Sequence, residues 1–334
     1  MLETPEFYSS TLYGIAVISL PIHLLGAYCI LFVTPRTMKS VRWTLLNLHF
    51  WSSCLDLSIS VLAQPYFFKT TWAAIALGAQ KWIKMPIPVM CYTRPVQCVR
   101  ISRLSVTVVA IIALIENRFY LIFASNTWWK YGRLVFFSLN YVLALTFEVP
   151  TMLDYPEQST ARAFIFQQYP DLKAYDSSET PVYVLDVNED SSISTRQLLI
   201  ESLMIFEGLS LVIILSWKMK SVVRDMKLSE ETARLQKTFL KAIYLQIILP
   251  IVIFMNLIIF STLSDFLNVP IQIVNNITFI TLSIHGLTST IVMLCIQKPY
   301  RTFISSAICP EHFSNRINFS QFISVIKKPN VALF

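Results

Sequence analysis

Charge is what this chain has least of. Lys, Arg, Asp and Glu make up 14% of its 334 residues, against about 25% in a soluble domain. Glycine is scarce too, at 6, and no low-complexity stretch or repeat of solenoid period occurs. The six cysteines and four histidines form no CxxC pair and no Cys/His metal spacing. HExxH and GxSxG are absent. The chain therefore reads as a non-enzyme with no metal and no cofactor. Its first residues, MLETPEFYSS, carry acids where a cleavable signal peptide has a basic n-region. The first apolar span is expected to do the targeting.

What the chain has is apolar length. It is 54% hydrophobic, with a mean hydropathy of +0.56. A helix rises about 1.5 Å per residue, so about 20 apolar residues cross a bilayer. From Ile271 to Ile296 there is no charged residue at all. Lys298-Pro299-Tyr300-Arg301 ends that run with a helix breaker and two cations. Six further runs predict helices over 11–33, 44–68, 95–122, 134–153, 197–217 and 239–263. The expected fold is an all-α integral membrane protein, a seven-transmembrane helix bundle over 11–297. It has a short extracellular N-terminus (1–10), a cytoplasmic tail (298–334) and a long polar connection at 154–196. That connection holds eight acids and three bases. It exceeds ordinary loop length and is expected to be functional or partly folded.

The net charge of +7 and pI of 9.1 would suggest nucleic acid in a soluble protein. Here the cations sit in short loops beside apolar runs, so the expected partner is the lipid bilayer and not nucleic acid. With the N-terminus outside, 18 of the 27 Lys and Arg fall in cytoplasmic segments and 7 in outer ones. The positive-inside rule selects that orientation.

Four stretches carry a family signal. They are TPRTMKSVRWTLLNLHFW (34–51), IENRFY (115–120), LSEETARLQKTFLKAIYLQIILP (228–250) and IHGLTSTIVMLCIQKPYR (284–301). Together with seven spans they resemble the nematode serpentine chemoreceptors of class H. The resemblance implies a G-protein-coupled receptor of the plasma membrane of sensory neurons, with a small-molecule ligand and a heterotrimeric G protein as partners. The pattern differs from that of rhodopsin-like receptors. Glu116-Asn117-Arg118 replaces an acid-Arg-aromatic triplet, and no Asn-Pro-x-x-Tyr occurs. Residues 154–196 contain no cysteine, so no disulfide can tether the long loop.

The candidate residues follow from spacing and from that resemblance. Arg118 could pair with Glu116, or with the sixth helix, and then release to a G protein; alternatively it only anchors the end of its helix. Pro299, Tyr300 and Arg301 could turn the chain onto the membrane surface as a short amphipathic helix, with Cys309 placed for a palmitoyl chain, or could be a plain stop-transfer boundary. Asp56 lies seven residues after His49, on the same helix face, near Ser52 and Ser53. An ionisable group inside a span is a functional candidate, and its expected partners are Asn276, His285 or Ser289. Arg100, Arg103, Glu148, Glu201 and Glu207 could form ion pairs between helices or line a ligand cavity. A transporter or ligand-gated channel subunit is the competing reading, although no inverted repeat is visible.

Overall fold

Pro5 opens the first helix. A proline in the first turn has no N–H to leave unpaired, and Glu6 beside it favours the positive end of the helix dipole. The helix therefore starts six residues before the expected boundary, and much of the N-terminal stretch 1–10 is folded into it. The computed structural model describes residues 3–68, 73–82, 96–147, 149, 156–184, 186–187, 192–225, 244 and 271–308. Its helices are α1 (Pro5–Tyr28), α2 (Lys39–Leu57), α3 (Val96–Phe119), α4 (Trp129–Thr146), α5 (Gln158–Gln168), α6 (Ser192–Asp225), α7 (Ile271–Ser283), α8 (His285–Ile296) and α9 (Lys298–Ile308). The first three each run on into a wider π turn, at Cys29–Val33, Ser58–Ala63 and Tyr120–Ala124. Of the expected helix at 239–263, Tyr244 is the one described residue.

Among the described residues, three stretches are long and apolar enough to cross a membrane: Pro5–Val33, Val41–Ala63 and Gln272–Ile296. α2 packs along α3, α3 lies between α4 and α6, and α8 lies against α1 and α2. Large apolar side chains point out of the bundle, among them Val17 and Leu24 of α1, Leu134 and Leu139 of α4, and Phe206 and Ile213 of α6. Such a face would be a liability in water. It is the expected outer surface of a bundle whose solvent is hydrocarbon.

The second helix ends at Ala63 and not at Phe68. Gln64 turns left-handed (φ 42°, ψ 65°), and Pro65, which has no N–H, cannot continue the ladder. The chain goes extended instead. Strands β1 (Pro65–Phe67), β2 (Ala73–Ala76) and β3 (Tyr183–Val184) form an antiparallel sheet in that order. Tyr66 pairs with Ile75, and Ala73 with Val184.

This sheet explains how the long connection is held without a cysteine. Side chains reach both of its edge strands. The Tyr8 hydroxyl donates to the Pro65 carbonyl over 2.8 Å. On the other side the Gln158 amide donates to the Val184 carbonyl (2.9 Å) and accepts from its N–H (3.0 Å). Beneath the sheet, Tyr66, Phe68, Ile75, Ile165 and Val184 share one apolar core with Leu12, Leu55, Phe279 and Leu282 of the bundle. Phe67 stacks flat on Phe279, with centroids 5.5 Å apart. Burial and its neighbours Tyr175, Glu3 and Glu6 push the Tyr66 phenol up to about 12, so it keeps its proton and donates to the Glu3 carbonyl. The bundle thus has a sheet end and an opposite end that carries α9.

Candidate functional site

Two polar clusters stand out from the apolar packing. The first lies where α1, α2 and α8 meet. The long last apolar run is not one helix: it breaks at Ile284, between α7 and α8. A helix start leaves backbone N–H groups without partners, and Ile284 has no side chain to cap them. Asp56 of α2 does so from outside. Its carboxylate accepts from the N–H of Gly286 (2.9 Å) and of Leu287 (2.7 Å). It sits at the positive end of the α8 dipole, where an anion is favoured. His23 Nε2 of α1 is 3.2 Å from the same carboxylate, and Asp56 is completely buried.

The cluster extends through both ring nitrogens of two histidines. His49 Nε2 is 2.9 Å from the His23 carbonyl, so it carries the proton. The Thr290 hydroxyl donates to the Gly286 carbonyl (2.7 Å) and lies 3.3 Å from Nδ1 of both His23 and His49. Two glycines permit the close approach. A Cβ at Gly286 would lie 2.7 Å from Asp56 Oδ2, and one at Gly26 would lie 2.6 Å from Thr290 Cγ2.

Asp56 thus reaches the last long run, as its position suggested, but not through the expected side chains. The broken helix supplies amide donors, and these take the carboxylate. Asn276 instead accepts from Gln272 (3.1 Å) within α7. His285 is buried at the start of α8, and among the described residues its Nδ1 has no hydrogen-bond partner. Ser289 lines a small cavity beside Thr290.

The second cluster is at the α9 end. Glu116 does not pair with Arg118; side chains two apart on a helix point in different directions. Its completely buried carboxylate accepts from Trp129 Nε1 (2.7 Å) and Arg133 (2.9 Å). Arg133 also bonds Asn117 Oδ1 at 3.3 Å and lies 4.0 Å above the Tyr120 ring. Trp129 and Arg133 are one helical turn apart, on the first turns of α4. They can reach Glu116 because α4 begins at Trp129, five residues before the expected start.

Arg118 faces elsewhere. It is half-buried and an electrostatic neighbour of Tyr300. Burial pushes the Tyr300 phenol above its usual range, so it holds its proton. It donates to Thr34 Oγ1, 2.7 Å away, whose own proton goes to the Ile30 carbonyl at 2.6 Å. The stretch holding Pro299, Tyr300 and Arg301 is the first turn of α9. Tyr300 is completely buried, and Phe303 and Ile304 pack on the same core, while Arg301 and Thr302 are exposed. The short helix is therefore amphipathic and pinned to α1 and α3.

The intramembrane acids and bases are only partly in view. Glu207 of α6 accepts from Asn140 of α4, and among the described residues its Oε2 has no partner. Arg100 and Arg103 lie on α3 and Glu201 on α6, with side chains outside the described set. Glu148 and Cys309 lie outside the described residues altogether.

Sequence reasoning passed over His23, Thr290, Trp129 and Arg133. A signal existed for two of them. His23 is a titratable group inside an apolar span, which the rule applied to Asp56 also covers. Arg133 follows Trp129 at helical spacing, beside a helix end that carries an acid.

Comparison with known proteins agrees with this architecture. The profile of the serpentine type 7TM GPCR chemoreceptor family Srh matches residues 3–310. Serpentine receptor class H-72 of Caenorhabditis elegans is 25% identical over 297 residues, which cover 87% of this chain and 83% of that protein. The match takes in α1 to α9, both polar clusters and the sheet. This chain is a member of the Srh family of serpentine seven-transmembrane chemoreceptors, a multi-pass membrane protein of receptor type.

Proposed function

We propose that the chain is a seven-span chemosensory receptor of the plasma membrane, with the N-terminus and the sheet end outside and α9 in the cytoplasm. A small-molecule ligand binds within the helix bundle and shifts it toward a state that activates a heterotrimeric G protein. Family membership and the asymmetry of cations support the receptor reading and the orientation. The expression site would be the cilia of sensory neurons, as the resemblance implies.

One observation carries the assignment of the coupling face. Glu116 is held by Arg133 and Trp129, and Arg118 stands beside Tyr300 at the α9 end. A cation next to a buried tyrosine that joins α1, α3 and α9 can change partners when those helices repack. Such a local exchange coupled to a two-state bundle is how receptor switches work.

Two measurements test this reading. An N-terminal tag should be labelled on intact cells and a tag after Phe334 only after permeabilisation; labelling of the second on intact cells would reverse the orientation. Arg118→Ala should reach the surface at near wild-type level, since an arginine stem at a helix end can snorkel and is not needed for insertion. It should nevertheless lose ligand-stimulated nucleotide exchange on the G protein. Normal exchange by the variant would remove Arg118 from coupling, and ligand-gated current in the same cells would favour a channel.

A further inference from the structure

The α1–α2–α8 cluster leaves an unmet hydrogen-bond demand. The His49 Nε2 proton goes to the His23 carbonyl, so a neutral His49 presents Nδ1 as an acceptor. Its nearest partner is the Thr290 hydroxyl, 3.3 Å away. That hydroxyl has one proton and lies closest to the Gly286 carbonyl, at 2.7 Å. His23 Nδ1 lies 3.3 Å from it as well. One proton cannot serve both the carbonyl and His49 Nδ1. Ser52, one turn after His49, is 1% exposed, and among the described residues its hydroxyl has no partner. Buried polar atoms left in this condition are uncommon and usually mark an unseen partner.

The partner has a place to sit. A cavity of about 10 Å³ is lined by His49, Ser52, Ser289 and Thr290, with Leu48 and Met293 as its apolar wall. That is about the room one water needs. A buried water needs two to four polar contacts, and four polar residues line the space. We infer that this cavity is a binding site for a single ordered water that joins Ser52 and His49 of α2 to Ser289 and Thr290 of α8. A water both donates and accepts, so it meets the Ser52 hydroxyl and the His49 nitrogen together.

The same lining excludes a metal cation. The Asp56 carboxylate does not line the cavity, and its oxygens are taken by N–H donors. Without an anionic ligand, a monovalent ion would be stripped of water in hydrocarbon without compensation. The site is therefore neutral. It lies within two turns of the Ile284 break, and a water bridge there can be remade with new partners when α8 shifts against α2. The inference holds whether or not the chain couples to a G protein.

Radiolytic hydroxyl-radical footprinting of the purified full-length protein tests it. X-rays ionise bound water in place and oxidise the nearest thioether. Met293 is 4% exposed and lines the cavity; Met204 is 3% exposed and sits in the apolar α3–α4–α6 core. Met293 should oxidise several-fold faster than Met204, and equal slow rates would mean a dry cavity. Ser52→Val, which fills the space with methyl groups, should bring Met293 down to the Met204 rate. Unchanged Met293 oxidation in a folded Ser52→Val protein would overturn the site. If that variant does not fold, the wild-type comparison still decides. Replacing sodium by choline should change neither rate; a sodium-dependent Met293 rate would mean a cation site and sink the water assignment.

Discussion

Asp56→Ala should remove most of the folded receptor from the cell surface. The substitution takes the acceptor from two backbone N–H groups and from His23. A buried donor left without a partner costs about 1–3 kcal/mol, and three are lost together from a protein whose whole margin is about 5–15 kcal/mol. The helix break at Ile284 makes the loss worse, because the start of α8 has no cap of its own. Asp56→Asn keeps one oxygen acceptor and should fall between alanine and wild type. Surface labelling and thermal unfolding of the purified proteins give the readings. A wild-type melting temperature for Asp56→Ala would show that α8 does not depend on this carboxylate.

Arg133→Ala should be the second most damaging change, and for the opposite reason: it strands an acid. Glu116 is completely buried and Arg133 is its charged partner at 2.9 Å. Removing one member of a fully buried pair costs about 3–5 kcal/mol, and replacing both by apolar residues of similar size is often near neutral; Arg133 is 25% exposed, so the cost here falls below that range. The double change Glu116→Leu with Arg133→Leu should therefore melt higher than Arg133→Ala alone, even though Trp129 then loses its acceptor. Arg118→Ala should melt close to wild type. The order Arg118→Ala, double variant, Arg133→Ala, from most to least stable, is the expected result. If Arg118→Ala melts lowest instead, Glu116 leans on Arg118 after all.

The two pairings differ in how visible they were from sequence. That Asp56 should meet the last apolar run was legible, because an acid inside a span must find polar company there. That it would meet backbone amides was not legible. The break at Ile284 lies in a run of apolar and small polar residues with no proline or glycine at the break itself, and it is stabilised by a residue 230 positions away. The sequence offers Arg118 as one partner for Glu116 because its apolar run starts the fourth helix at Leu134, five residues after the observed start at Trp129. The two basic and aromatic residues at Trp129 and Arg133 looked like interhelical loop. α9 was legible from Pro299 and the helical spacing of Phe303 and Ile304. The sheet was not, since strands of two to four residues carry no period that separates them from the ends of helices.

The sheet also sets an order of assembly. β2 pairs with β3 across a long stretch of chain, Ala73 with Val184, and α3 and α4 are synthesised between them. β2 therefore waits with an open edge while both helices are made, and an open edge invites wrong pairing. It closes only when β3 arrives, and the last part of its apolar floor, Phe279 and Leu282, is made later still. Late non-local closure of this kind slows folding. The sheet of this receptor is thus finished only once nearly the whole chain has been made, and a chain halted before α7 would carry a sheet without that part of its floor.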